Sequence, residues 1–184
     1  MPPITSALGL DTKAVVEERS QALIRGIDHI GPTHVLWLPS STLKGVIDHV
    51  EQRAREGAYA SIPLTREEEG IGIAGGLVLG GAKPILVVQD NGLGNALTAL
   101  TTFAQPYHLP LLMIVSQRGG LNEYNSMIHT LTERVDDIVA AADLRSFKLD
   151  ERVPAERWAT SVVAAWEHAA MTHRPVILLC NLLY

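Results

Sequence analysis

The chain has a single cysteine, Cys180, and only two phenylalanines among its 184 residues. One thiol excludes an intramolecular disulfide framework and a cysteine-rich zinc module. A lone thiol, and an opening MPPITSALGLDTK that lacks the charged start and apolar centre of an export signal, predict a cytoplasmic protein. Long apolar runs are also missing, so no membrane-spanning helix is expected. So is basic charge: 15 Lys and Arg face 20 Asp and Glu, a net charge of −5. That balance argues against nucleic acid as a partner. There is no G-x-S-x-G elbow, no P-loop and no H-E-x-x-H, and the histidines do not cluster at ligand spacing. Aromatics make up 5% of the chain. The core must therefore be built from Ala, Val, Ile and Leu packed around small residues.

What is present is apolar. Hydrophobic residues are 47% of the chain, and the mean hydropathy is +0.14. A chain of this length buries roughly 70% of its unfolded surface, so a large core is feasible. Two periods alternate along it. Helical spacing covers 11–30 (with Asp11 or Thr12 as cap), 40–56 (with Gly57 past its end), 66–80, 94–103 and 131–142. The last helix has Pro154 at its first position, with Trp158, Val162, Trp166 and Ala170 in steps of four. Short apolar runs of strand type fill 33–39, 58–65, 84–90, 109–117, 145–149 and 175–182. No internal repeat or linker divides 1–184. The expected fold is α/β: a single doubly wound domain with a six-stranded, mostly parallel sheet and helices on both faces. Such folds place ligands beyond the carboxyl ends of their strands. The informative residues are then Pro39–Ser41, Thr65–Glu68, Gln89–Asn95 and Ser116–Gly120.

Thr65-Arg66-Glu67-Glu68-Glu69 opens a helix. Thr65 and Glu68 have capping-box spacing, and carboxylates suit the positive end of the helix dipole. That leaves Glu67 free to face a ligand. Gly70-Ile71-Gly72-Ile73-Ala74-Gly75 matches G-x-G-x-x-G, with Asp90 downstream as a ribose partner. A dinucleotide site needs those glycines directly after a strand, and here carboxylates intervene. The alternative is that Gly70, Gly72, Gly75, Gly76, Gly80 and Gly81 let the helix approach a neighbour closely. Asn91-Gly92 reads as a turn between strand and helix, with N–H groups open to an anion or flat ring. Arg118, at a strand end, is either a grip for an acid group or merely solvated. Cys180 reads as an inert core thiol.

The runs Thr65–Gly76, Gly81-Ala-Lys-Pro84, Gln89-Asp-Asn-Gly-Leu-Gly-Asn95 and Pro110–Gly119 resemble the pyrimidine-binding half of thiamine diphosphate-dependent decarboxylases. The likeness is to the branch acting on sulfopyruvate and phosphonopyruvate, and it covers nearly the whole chain. The family pattern of a Glu, a Gly nine residues on and then Lys-Pro fits Glu67, Gly76 and Lys83-Pro84 without a gap. The resemblance implies that Glu67 binds the aminopyrimidine N1′ and is the catalytic residue. It implies that Thr65, Asn91, Gly92, Leu93, Gly94 and Asn95 line the cofactor pocket. It places Ser40, Ser41, Gln117 and Arg118 near the substrate, a small 2-oxo acid.

The family's diphosphate-binding half carries Gly-Asp-Gly and a later Asn, and this sequence has no Gly-Asp-Gly. The resemblance therefore implies a beta subunit that supplies that half and holds magnesium, in a hetero-oligomer. The implied reaction is decarboxylation of sulfopyruvate to sulfoacetaldehyde. The alternatives are a phosphonopyruvate decarboxylase subunit, or a non-catalytic nucleotide-binding or regulatory domain. The segment 121–130 departs from the family pattern beside the expected substrate entrance.

Overall fold

The computed structural model describes residues 12–120, 123 and 125–183. In chain order the elements are α1 (Thr12–Ile30), β1 (His34–Trp37), α2 (Lys44–Arg55), β2 (Ala60–Pro63), α3 (Glu67–Leu79), β3 (Pro84–Gln89) and α4 (Asp90–Ala99). A π-helical turn (Leu100–Ala104) follows, then β4 (Leu112–Ser116), α5 (His129–Thr132), α6 (Val135–Ala141) and β5 (Arg145–Leu149). A 3-10 turn (Ala155–Arg157), α7 (Trp158–Thr172) and β6 (Val176–Cys180) complete the chain. The strands form one sheet in the order β2-β1-β3-β4-β6-β5, with every pairing parallel. This is the doubly wound sheet expected from the alternating pattern.

Side-chain alternation in the central strands builds two cores. Ile85 and Val87 of β3, Leu112 and Ile114 of β4, and Val176 and Leu178 of β6 face α1, α2 and α7. Leu86, Val88, Met113, Val115, Ile177 and Leu179 face α3, α4 and α6. Both faces are covered, which is why these strands read as unbroken apolar runs. The edge strands β2 and β5 are largely exposed, and β2 ends on Pro63, which only an edge tolerates. Trp158 is fully buried and donates its indole N–H to the Val153 carbonyl at 2.9 Å. Cys180 is fully buried in β6, where burial pushes its thiol up and keeps it unreactive. No helix among the described residues is long and apolar enough to cross a membrane.

Several boundaries differ from those read in the sequence. The candidate cap Asp11 lies outside the described residues. The helix expected from Ser40 starts at Lys44, because the side chains of Ser40 and Thr42 are drawn into hydrogen bonds across the sheet end. The turn expected at Asn91-Gly92 is instead the first turn of α4, which springs directly from Gln89. The helix expected at 131–142 breaks into α5 and α6. The buried Thr132 turns its hydroxyl back to the Ile128 carbonyl at 2.9 Å there. Pro154 precedes the 3-10 turn rather than opening α7 itself.

The glycines of α3 divide into two sets. A Cβ at Gly70 would meet Leu64 at 2.6 Å, and one at Gly75 would meet Phe103 at 2.3 Å. These two permit the close packing expected of the Gly-rich helix. Gly72 and Gly76 face open space. The glycines lie inside α3, behind three carboxylates in its first turn. Pyrophosphate therefore has no approach to glycine N–H groups at a helix start, and the dinucleotide reading of this motif fails on geometry.

Candidate functional site

The chain leaves β1 towards β2 on one side, while β3 lies on the other. The segments after β1 and β3 diverge there, at the kind of switch point where doubly wound folds hold ligands. A polar network spans it. Ser40 donates its hydroxyl to Gln89 Oε1 at 3.2 Å, and Gln89 Nε2 donates to Asn91 Oδ1 at 2.8 Å. The Ser40 and Thr42 hydroxyls lie 3.1 Å apart, and those of Thr42 and Ser116 share a buried bond of 2.7 Å. Ser41 is exposed on the same loop. β1, β3 and β4 are thus tied together by side chains just where the sheet ends.

Glu67 is the first residue of α3. Its carboxylate accepts a hydrogen bond from Asn95 Nδ2 at 2.9 Å and lies directly on Gly92. A Cβ at Gly92 would sit 2.1 Å from Glu67 Oε1, so this glycine is the seat of the carboxylate. The two residues come from different strand ends, 25 positions apart by number. The neighbouring acids are engaged locally. Glu69 accepts bonds from the Thr65 N–H at 3.1 Å and the Thr65 hydroxyl at 2.7 Å. Those bonds hold it below the usual carboxylate range. Glu68 takes the Arg66 guanidinium at 2.6 Å and is lowered by that bond.

The capping partner is therefore Glu69, not Glu68, and the cap residue is Arg66, not Thr65. The helix starts one residue later than the Thr-x-x-Glu spacing predicts. Glu67 takes no part in the cap; its carboxylate is bonded by Asn95 instead. Thr65, a candidate cofactor contact, uses its hydroxyl on Glu69. Leu93 is fully buried among α3 and β-strand side chains, so its side chain cannot line a pocket. Asn91, Gly94 and Asn95 are exposed around the start of α4.

Gln117 and Arg118 stand apart from Glu67. Gln117 lines an open cleft of about 360 Å³, together with Gly119, Gly120, Asp136, Lys148 and Asn181. Asp136 receives Gln117 Nε2 at 3.2 Å and Lys148 Nζ at 2.6 Å. Arg118 is neither a solvated strand-end residue nor an open grip. Its guanidinium is buried in a two-pronged pair with Glu123, at 2.8 and 2.6 Å. Burial pushes Glu123 up, but the Arg118 bonds and the Asn125 N–H outweigh it, and the carboxyl lies below its usual range. Removing one partner of a buried pair costs about 3–5 kcal/mol. Glu123→Ala is expected to lower the urea midpoint accordingly; an unchanged midpoint would show that the pair contributes nothing.

Asp90 was read in the sequence only as a ribose partner. It is fully buried at the start of α4. One carboxylate oxygen accepts the Arg118 N–H at 2.6 Å and the other the Asn91 N–H at 2.9 Å. Burial raises this carboxyl from 3.8 to about 6, against the pull of those two bonds. An acid raised in the fold holds a proton that the unfolded chain has released. Its penalty is absent below about pH 4, grows through the interval between 4 and 6, and is complete above it. Two units correspond to about 3 kcal/mol. Asp90→Asn should therefore gain about 3 kcal/mol on wild type between pH 4 and pH 7.5 in paired urea titrations. A difference that does not vary with pH would refute the burial argument.

No profile of a known protein family matches the chain. It is 38% identical over 104 residues to the sulfopyruvate decarboxylase subunit alpha of Methanococcus maripaludis, covering 56% of this chain and 60% of that one. The matched stretch is thus less than two thirds of that relative. It is 30% identical over 123 residues to the phosphonopyruvate decarboxylase of Streptomyces viridochromogenes, covering 66% of this chain and 30% of that one. Among solved structures, the 2-oxoglutarate:ferredoxin oxidoreductase from Magnetococcus marinus superimposes with a TM-score of 0.64 at 15% identity. The superposition covers 90% of this chain and 29% of that chain. That likeness concerns the fold.

Proposed function

We propose that this chain, a relative of the sulfopyruvate decarboxylase alpha subunits, is the pyrimidine-binding subunit of a thiamine diphosphate-dependent 2-oxo acid decarboxylase. The observation that carries the reading is the seat of Glu67. A half-buried carboxylate at a helix start, packed on a bare glycine and oriented by one amide, suits an N–H of a flat heterocycle. The space above Gly92 is taken by the acid, so Glu67 would present its carboxylate from a fixed seat to the heterocycle. Residues of the chain thus fit the aminopyrimidine end of thiamine diphosphate. Among the described residues no cluster of His, Cys, Asp or Glu could hold a metal ion. In this reading magnesium and the diphosphate belong to a beta subunit, and the active site lies between the two chains of a cytoplasmic hetero-oligomer.

When bound, thiamine diphosphate supplies the electron sink for cleavage of the bond between the keto carbon and the carboxylate. Glu67 holds a proton at N1′. Asn95 fixes the carboxylate, and Gly92 sets its depth. Ser40, Gln89 and Asn91 keep the strand ends in one arrangement. Gln117 offers an amide from the neighbouring cleft to the 2-oxo acid. Arg118 contributes its backbone and its pair with Glu123, so the sulfonate must find its cation on another residue or on the partner.

The test is a tagged purification of the full chain from its own cells, with mass spectrometry of what accompanies it. A partner carrying Gly-Asp-Gly, and release of carbon dioxide from sulfopyruvate by the pair with thiamine diphosphate and magnesium, would establish the reading. Turnover of phosphonopyruvate alone would move the substrate to the second candidate. A pair that binds no thiamine diphosphate would overturn it.

A further inference from the structure

Asp90 occupies an expensive position. It is 0% exposed, at the joint between β3 and α4. A buried carboxylate is disfavoured unless its oxygens are engaged, and a residue that merely filled this space would be apolar. Both oxygens are engaged, and they serve different parts of the chain. One holds the Asn91 N–H at 2.9 Å, in the first turn of α4. The other holds the Arg118 N–H at 2.6 Å, just beyond β4. The preceding residue, Gln117, still follows the sheet, its N–H bonded to the Cys180 carbonyl at 2.8 Å. Arg118 is thus where the chain leaves the sheet, and Asp90 receives it.

The two ends joined here carry the two parts of the site. The turn that Asp90 opens contains Gly92, under Glu67, and leads to Asn95, bonded to Glu67 at 2.9 Å. The segment that Asp90 catches begins with Gln117 and Arg118 and continues to Gly119. Gly119 has a left-handed φ of 82° and is pressed by Thr132. We propose, on the functional reading above, that Asp90 is a positioning residue: its carboxylate fixes the spacing between the Glu67 seat and the substrate-side cleft at Gln117. Asp90 touches neither substrate nor cofactor. It acts through the backbone of α4 and of Arg118.

The charged groups acting on Asp90 are Arg118, which favours its ionised form, and Glu123, which opposes it. Protonation replaces an acceptor with a hydroxyl and weakens the hold on one of the two N–H groups. The tie should therefore loosen as pH falls through about 6.

The first measurement is amide hydrogen exchange at Arg118 in the full chain, corrected for intrinsic rates, from pH 5 to pH 7.5. Wild type is expected to lose protection at the acid end by about tenfold, the scale of a hydrogen bond to a charged group. Asp90→Asn is expected to show weak protection throughout. The second is the pH profile of kcat for the chain with its co-purified partner, using sulfopyruvate. Wild type should lose activity below about pH 6. Asp90→Asn should be slower and flat across that range, with KM little changed. Protection at Arg118 that ignores both pH and substitution would overturn the proposal, as would a variant that keeps the wild-type profile. The wild-type exchange series needs no variant, so a failure of Asp90→Asn to fold leaves the test intact. If the wild-type pair decarboxylates nothing, the functional reading fails, and exchange at Arg118 still decides whether Asp90 holds the segment.

Discussion

Replacing Glu67 by Gln is expected to cut kcat by about 10²–10⁴-fold, the usual scale for a general acid–base group. The melting temperature should stay within about a degree or two, as for surface changes that leave packing alone. The argument rests on what Glu67 does not do. Glu69, not Glu67, serves Thr65, and Glu68 rather than Glu67 holds Arg66. Asn95 is its hydrogen-bond partner, and a glutamine carbonyl can accept that bond equally well. The substitution thus removes the charge and the capacity to hold a proton, while retaining shape. Glu68→Gln is the control. It lies one residue away in the same helical turn, and its carboxylate serves a surface contact. It should lose less than about threefold, since exposed ion pairs contribute under 1 kcal/mol. Measurement of kcat for the two variants with the co-purified partner separates the outcomes. Loss at Glu68 with Glu67 silent would mean that the catalytic carboxylate is misassigned by one position.

The sheet was legible because its central strands are buried on both faces and so read as apolar runs without alternation. Ile85 to Val88 supply both cores in turn, and no other element type would use them so. The ends of the strands were harder. Asn91-Gly92 has strong turn preference as a dipeptide. The helix starts there nonetheless, because Asp90 takes the Asn91 N–H and Leu93 and Ala96 have buried places to fill. Ser40 to Leu43 looked like a first helical turn. The Ser40 and Thr42 hydroxyls instead bond to Gln89 and Ser116, partners that spacing cannot reveal because they come from distant strands.

Glu67 stays out of the cap even though the capping register is off by one residue, since Glu69 serves Thr65 and Asn95 bonds Glu67. Arg118 was not legible. Its partner Glu123 lies in an irregular segment, where no periodicity signals a buried pair. Asp90 left a trace in the sequence, an acid directly after an apolar strand. Only the fold shows that it is buried and joined to Arg118.

Gly92→Ala should disable the site almost as completely as loss of the acid itself. The added Cβ would lie 2.1 Å from Glu67 Oε1, 2.4 Å from its Cδ and 2.6 Å from its Cγ. No real contact is that short, so one partner must move. The α4 backbone is the less able to yield, since Leu93 and Ala96 anchor it from the core. The Glu67 side chain, half-buried at the rim, swings away and gives up its bond from Asn95. A reacting group misplaced by about 1 Å can lose about 10²-fold in rate, and this displacement is larger. The fold should tolerate the methyl group, because a rim side chain can leave where a core side chain cannot. The cost should fall below the roughly 1–3 kcal/mol of an overpacked interior. Kinetics of Gly92→Ala, Glu67→Gln and the double variant test the coupling. If Gly92 acts by seating Glu67, the double variant is no slower than the worse single, because both remove one interaction. Losses that multiply would assign Gly92 a separate role, as a surface on which the ring itself rests.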